Sequence, residues 1–231
     1  MQYSMINRMI METYARGNIK SFPFDCEYII KELGYNLYKY SELSEEKRNS
    51  CFLVSDESLK LFDNIYYNDS MLPLRIRFSL AHELGHIVLD HGDYRDEEKE
   101  AEANYFASHF LAPRMAIHYS GCKNQNDVAK RFQISQESAQ YAFDDYRRWH
   151  RRTVIHKMTD FDKAMYAYFY NEDAKCFVYN VKSCEDCGAE VYNSYCTLCT
   201  ECRAKINTRL LCQAPTEDLL IAEGQWLYGG L

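Results

Sequence analysis

Residues 80–89 read LAHELGHIVL, and this stretch carries the most informative pattern in the chain. His82 and His86 are four residues apart, so a helix places both imidazoles on one face, where they can bind a single metal ion. Glu83 is rotated from His82 by about 100°, which sets its carboxylate beside the ion rather than on it. There it can accept a proton from an attacking water. The stretch therefore predicts a catalytic zinc site with His82 and His86 as ligands and Glu83 as general base.

The same helix has an apolar face on roughly the opposite side from the histidines. This pattern favours a helix that packs on the core with one face and binds a metal with the other. The alternative is a helix in which the two histidines are only buried. We predict that it runs from Pro73, which suits a first helical turn, to His91, with Gly92 as the stop signal. His91 is interpreted as a helix-end histidine rather than a ligand. The apolar positions are Leu80, Leu84, Ile87 and Val88.

A third ligand is expected, because a catalytic zinc usually has three protein ligands. A second helix is predicted from about Glu98 to Leu111. Three residues before its apolar Ala103 lies Glu100, which therefore points inward, whereas Glu102 falls off the apolar stripe. Asn104, four residues after Glu100, can hydrogen-bond a ligand histidine and fix its tautomer. Glu100 is the predicted third ligand, and Glu102 is its main rival.

Together these residues resemble the ImmA/IrrE family of metallopeptidases. The matching segments are Tyr67-Asn68, residues 77–86, residues 100–107 and Leu111-Ala112-Pro113, with Ala112 where the family often has Met. The resemblance covers about residues 25–150 and implies a zincin domain with a glutamate, by position Glu100, as third ligand. It also implies regulation, since many members act on a helix-turn-helix repressor, often of a phage or mobile element. Not every relative has peptidase activity, so the fold alone does not settle the function.

Residues 126–149 predict two helices around a short turn, with Ser135 as the N-cap of the second. This pattern looks like a DNA-binding helix-turn-helix, in which the start of the second helix contacts bases. Gln136, Glu137 and Gln140 occupy that start and include no basic residue. We therefore favour helices that close the core over helices that read DNA, with solvated arginines at the far end. These arginines are Arg147, Arg148, Arg151 and Arg152.

A cysteine cluster follows, in which four thiols form two CxxC pairs: Cys184, Cys187, Cys196 and Cys199. Four thiolates at this spacing can close a tetrahedral zinc site, which has no open position and is therefore structural. Cys202 makes a further CxxC step and is the alternative to Cys199. Because a hairpin is predicted just before the cluster, from Met165–Tyr170 and Cys176–Val181, the segment predicts a small zinc ribbon.

The fold class expected from these elements is α+β. A zincin-like domain over residues 1–155 includes the helix-turn-helix-like helices 126–149, and the hairpin and Cys₄ ribbon occupy residues 160–210. The tail 211–231 has no assigned role. Within the zincin domain, residues 1–20 should form a short helix or arm, and a helix is predicted at Phe24–Leu33. Its predicted strands are Leu37–Tyr40, Cys51–Val54 and Ile65–Tyr67.

Composition narrows the function. The formal net charge of −7 lowers the expectation of a dedicated nucleic-acid-binding protein. Residues 1–20 lack the apolar centre of a signal peptide and no run is long enough to span a membrane, so we expect a cytosolic chain. Its 10 cysteines then indicate metal ligands and free thiols. We predict a zinc endopeptidase with one catalytic and one structural Zn²⁺ and a protein substrate. The alternatives are a non-catalytic zinc-binding regulator of a protein or DNA, and a zinc-ribbon adaptor.

Overall fold

The computed structural model describes residues 3–92 and 96–212, without the side chains of 154–156 and 207–212. Its helices are α1 (Tyr3–Arg16), α2 (Cys26–Glu32), α3 (Glu45–Val54), α4 (Pro73–Val88), α5 (Glu97–Leu111), α6 (Arg114–Tyr119), α7 (Gln125–Phe132), α8 (Gln136–His156), α9 (Asp160–Phe169) and α10 (Thr200–Cys212). Its strands are β1 (Asn36–Lys39), β2 (Ser58–Leu61), β3 (Asn64–Tyr67), β4 (Tyr170–Asn171), β5 (Cys176–Phe177), β6 (Val181–Ser183) and β7 (Glu190–Tyr192). A 3₁₀ turn covers Tyr40–Glu42. This mixture of helices and small sheets agrees with the α+β class.

The helix α4 begins at Pro73 as predicted but ends at Val88, before the expected His91. Asp90 adopts a left-handed conformation with φ 53°. The amide of Asp90 then donates to the carbonyl of Ile87 (3.1 Å), and the amide of His91 donates to that of His86 (3.0 Å). This pair of bonds is the Schellman motif that closes many helices. Its consequence is that the chain turns back and carries His91 next to His86.

The helix α5 packs directly against α4 through its buried face, which consists of Ala103, Phe106, Ala107, Phe110 and Leu111. Gly85 lies at the contact. A methyl group at Gly85 would come within 3.1 Å of the Phe106 ring and 3.3 Å of the Ala103 backbone. The two helices can therefore approach this closely because residue 85 has no side chain.

The first sheet has the strand order β1-β3-β2, with β1 parallel and β2 antiparallel to β3. One expected strand was wrong here, and one strand was missed. Residues 51–54 end the helix α3 instead of forming a strand, because Ser44 caps that helix and α3 buries none of its residues, so no sheet neighbour competes for the segment. The strand Ser58–Leu61 was not expected; it gains its partner through a tight turn in which Phe62 has φ 53°.

The helices α7 and α8 form a pair around Gln133–Ser135, and Ser135 caps α8 as predicted by accepting the amide of Ser138 (3.1 Å). Their apolar residues join the main core, which agrees with the core-closing interpretation. These residues are Val128, Ala129, Phe132, Ile134, Ala139 and Ala142. The arginines 147, 148, 151 and 152 are exposed on α8, which continues beyond the predicted Trp149.

Residues 165–169, expected as a strand, are the last turns of α9. A capping box between Thr159 and Asp162 starts this helix, and the indole of Trp149 donates to buried Asp162 (3.0 Å). The hairpin that follows is only the short β4–β5 pair. Met165, Phe169 and Phe177 all belong to the main core. Residues 160–180, grouped with the ribbon in the sequence prediction, thus pack with the first unit.

The chain divides into two compact units, one up to Asn180 and one from Val181. In the second, β6 and β7 form an antiparallel pair, and α10 begins directly after Cys199. Its small core contains Cys184, Val191 and Cys202. Of the tail, residues 213–231 lie outside the described residues. Among the described helices, none combines the length and apolar character needed to cross a bilayer.

Candidate metal centre

His82 and His86 face the same point in space from successive turns of α4, with their Nε2 atoms 3.0 Å apart. Glu100 reaches them from α5, with Oε2 at 3.1 Å from Nε2 of His82 and Oε1 at 3.3 Å from Nε2 of His86. Two ligands of a tetrahedral zinc ion, each bound at about 2.0–2.1 Å, are about 3.3 Å apart. The spacing and chemistry of these three donors therefore fit zinc.

Glu102, the rival of Glu100, contacts a different residue. Its Oε2 lies 3.3 Å from Nε2 of His91, and Nδ1 of His91 lies 2.8 Å from Nδ1 of His86. A carboxylate only accepts, so Nε2 of His91 carries the proton and its Nδ1 accepts from His86. Burial lowers the pKa of His91, which favours this neutral form. The sequence interpretation of His91 as a helix-end residue missed this contact, which depends on the Schellman turn.

Asn104 lies where the helix phase predicted, with Oδ1 at 3.0 Å from Nδ1 of His82. The amide oxygen accepts the Nδ1 proton, so Nε2 of His82 keeps its lone pair. The Glu102–His91 pair has the same effect on His86. Both histidines are thus held in the tautomer whose Nε2 carries the lone pair with which an imidazole binds a metal.

Glu83 lies beside the three donors and is almost completely buried, with 2% of its surface exposed. The hydroxyl of Ser58 donates to Oε1 of Glu83 at 3.0 Å. Ser58 belongs to β2, the strand that the sequence did not predict, and 25 residues separate it from Glu83. The period-two pattern of four residues is too short a signal to have revealed this partner.

A cleft of about 1400 Å³ opens over these groups. Its walls come from the segment before β2, the start of α4, the middle of α5 and the start of α8. Glu83, His82 and Glu100 line it together with Ser135 and Glu137. The end of α8 at which a helix-turn-helix protein would contact bases thus forms a wall of the cleft.

Residues 38–144 match the model of the Peptidase_M78 family, described as the IrrE N-terminal-like domain. This segment contains His82, Glu83, His86 and Glu100. This part of the chain is therefore similar to an IrrE N-terminal-like domain.

Solved structures and curated proteins add little to this assignment. A Mycobacterium tuberculosis transcriptional regulator is similar to the chain, at 14% identity and a TM-score of 0.41. The match covers 59% of this chain and 45% of the regulator, so this chain spans less than half of that protein. The comparison with curated proteins gave no match.

Outside the IrrE N-terminal-like domain, a second group of metal-ligating side chains lies in the unit after Asn180. The sulfur atoms of Cys184, Cys187, Cys199 and Cys202 all lie within 4.8 Å of one another. Those of Cys187 and Cys199 are 3.7 Å apart, and two thiolates bound to one tetrahedral zinc at about 2.3 Å are about 3.8 Å apart. These four residues therefore fit a closed zinc site.

The structure thus groups Cys202, and not Cys196, with the other three predicted cysteines. Cys199 immediately precedes α10 and Cys202 lies in its first turn, so a helical step of three brings the two thiols together. Cys196 is exposed, and its sulfur accepts from Arg203 (3.5 Å). Backbone amides, led by that of Cys199 (3.2 Å), lower the pKa of Cys184 to about 6, which favours its thiolate form.

Proposed function

We propose that this chain is a zinc-dependent endopeptidase that acts on a protein substrate. The observation that carries the proposal is the convergence of His82, His86 and Glu100 beside a buried Glu83, at the floor of an open cleft. The three converging side chains would hold the ion. Zinc, when bound there, supplies the Lewis acidity that activates water and polarises the scissile carbonyl.

Glu83 is the general base in this proposal. It accepts the proton of the attacking water and delivers it to the leaving amine. The hydrogen bond from Ser58 holds one oxygen of the Glu83 carboxylate in place. The same bond thereby fixes the direction in which the other oxygen points. Asn104 and His91 position the two ligand histidines through their Nδ1 atoms.

For the substrate we propose a helix-turn-helix repressor, such as one of a phage or mobile element. The family resemblance supports this choice. The second zinc site, formed by the cysteines, would be structural. We place the protein in the cytosol, because thiolates must stay reduced to bind zinc.

The alternative is a non-catalytic zinc-binding regulator of a protein or of DNA. Purely structural binding of a metal does not require a buried carboxylate next to the ligands, so Glu83 and its bond to Ser58 favour catalysis. The placement of the start of α8 in the cleft wall supports a peptidase over a DNA reader.

The test uses purified protein and the repressors encoded beside its gene, with any fragments identified by mass spectrometry. The wild type should cut one of them, whereas Glu83→Gln should keep its zinc and produce no fragments. Equal cleavage by both proteins would remove Glu83 from the mechanism. Zinc-loaded wild-type protein that binds a repressor without cutting it would favour the regulator.

A further inference from the structure

A second cavity, of about 490 Å³, adjoins the cleft. Tyr105, Ser108 and Tyr141 line both, so the two spaces share a wall. Tyr105 directly follows Asn104, the residue that contacts the ligand His82. The cavity therefore begins one residue beyond the metal centre, within reach of a peptide that occupies the cleft.

Basic side chains outnumber acidic ones in the lining of this cavity. Arg114, Arg148 and Arg152 face it, and Asp145 is the one carboxylate among the described residues that line it. Asp145 lies 3.8 Å from Nη1 of Arg114, 3.6 Å from Nη2 of Arg148 and 3.1 Å from Nε2 of His109. Three guanidinium groups against one carboxylate leave the cavity with a surplus of positive charge.

The ionised state of Asp145 is consistent with this surplus. Burial acts to raise its pKa, but the hydrogen bond to His109 and the charges of Arg114 and Arg148 outweigh burial and hold the pKa below its ordinary value. Asp145 is therefore already charged, and its single charge does not neutralise the arginines around it.

Arg114 is the most enclosed of these cations, with 17% of its side chain exposed. Its Nε atom is buried and has no hydrogen-bond partner. The nearest carboxylate oxygens, of Asp162 and Asp145, are 3.7 and 3.8 Å away, which is longer than a hydrogen bond. A partly buried guanidinium with long ion pairs is suited to receive a further carboxylate.

We infer that this cavity binds an acidic side chain, Asp or Glu, of the protein substrate. The inference rests on the proposed peptidase function, because it requires a peptide in the adjoining cleft. The cleft itself favours a peptide over a nucleic acid. Its lining includes Asp56, Glu57 and Glu137 in addition to Glu83 and Glu100, and such a wall repels a phosphate backbone.

The cavity therefore selects substrates by charge. A substrate peptide that places an Asp or Glu in the cavity, at a fixed distance from the scissile bond beside Glu83, is bound in preference to the same peptide with Asn or Gln at that position. Specificity of this kind comes from the arginines that line the cavity, of which Arg114 is partly buried, rather than from the arginines of α8 that do not line it.

The experiment compares three full-length proteins: wild type, R148E/R152E and the matched control R147E/R151E. The control makes the same charge change on the same helix at exposed residues that do not line the cavity. Each is incubated with a chymotryptic digest of a bacterial proteome, and mass spectrometry aligns the new termini. The wild type and the control should show Asp or Glu enriched at one position. In R148E/R152E that enrichment should fall about tenfold.

A binding arm separates this assignment from the peptidase proposal. The Glu83→Gln form of each protein, loaded with zinc and immobilised, captures peptides from the same digest. If the wild type cleaves nothing but Glu83→Gln protein still retains acidic peptides in an Arg148- and Arg152-dependent way, the peptidase proposal fails and the acidic subsite stands. Cleavage or capture without acidic preference overturns the subsite. The subsite is also overturned if the acidic preference survives in R148E/R152E, or if it falls equally in the control. The absence of both cleavage and capture overturns it as well.

Discussion

Glu100 and Glu102 show how helical phase assigns a role to one residue and not to its near neighbour. Two steps along a helix rotate a side chain by about 200°. Glu100 therefore faces the ligand histidines, whereas Glu102 faces His91. Glu100 is thus placed to bind the metal directly. Glu102 contacts His91 and so acts on the metal site only through that residue.

The exchange of each carboxylate for alanine tests this division. Glu100→Ala should lose the zinc of the first unit, because one of three ligands is removed. Glu102→Ala should retain it with an affinity lowered by about 10–100-fold, since it frees His91 and loosens His86. Competition with a zinc-binding dye measures both affinities. Retention by Glu100→Ala together with loss in Glu102→Ala would exchange the assigned roles.

Ser58 offers a test of the proposed general base, Glu83, that leaves the proposed metal ligands in place. Ser58→Ala removes a hydrogen bond to a buried carboxylate, an interaction to a charged group of about 1.5–3 kcal/mol. We expect kcat to fall about tenfold or more while zinc content is unchanged. Ser50→Ala, which removes a hydroxyl from exposed α3, should leave kcat as it is. A kcat for Ser58→Ala equal to that of the control would contradict the positioning role.

At the scale of the element, the contact between α4 and α5 decides whether the three donors meet. The two histidines and Glu100 are on different helices, so their separation depends on how closely these helices pack. Gly85 sets that approach, because a side chain there would meet Phe106 and the backbone of Ala103.

Gly85→Val should therefore push the helices apart. We expect a loss of about 1–3 kcal/mol in the free energy of unfolding from overpacking, and weaker zinc binding. Ala101→Val, at an exposed position of α5, is the control, where valine changes only helix propensity and costs about 0.5 kcal/mol. Denaturant unfolding of the metal-free and metal-loaded proteins measures both effects. A Gly85→Val protein that matches the control would show that the interface has room to adjust.

At the scale of the whole molecule, the described residues of each of the two units contain one group of metal-ligating side chains. The first unit has a large apolar core of its own, whereas the core of the second consists mainly of cysteines and Val191. A small domain of that kind depends on its metal for folding. We therefore expect about two zinc ions per chain, with unequal consequences when one is lost.

Replacement of Cys184 and Cys187 by serine should unfold the chain from about residue 181 onward and leave one zinc ion in the first unit. Cys202→Ser should also lose the second zinc, whereas Cys196→Ser should keep it, since only Cys202 belongs to the group of four. Metal analysis combined with limited proteolysis reads out both effects. Loss of both metals in the double variant would mean that the two units fold as one cooperative structure.

The sequence by itself determined the helix α4, the helix α5 that packs against it, and the roles expected of His82, Glu83, His86, Glu100 and Asn104. The geometry of these residues follows from the helical period of 3.6, a local property that any segment with the right pattern carries. Residues 38–144 match the family that these motifs suggested. The N-cap of α8 at Ser135 was likewise predicted from the sequence, because a helix cap forms between residues that are close together in the chain.

Only the tertiary structure decided the features that depend on distant partners. Ser58 reaches Glu83 because β3 holds β2 in place, and His91 reaches His86 because a left-handed residue reverses the chain. For the cysteines, spacing alone could not distinguish Cys196 from Cys202. The start of α10 distinguishes them, because one helical turn brings Cys202 close to Cys199. Cys184 and Cys187 lie between the paired strands β6 and β7, which precede this helix. Side chains that are far apart in sequence meet through tertiary packing, and the periodicity of the sequence does not specify which of them meet.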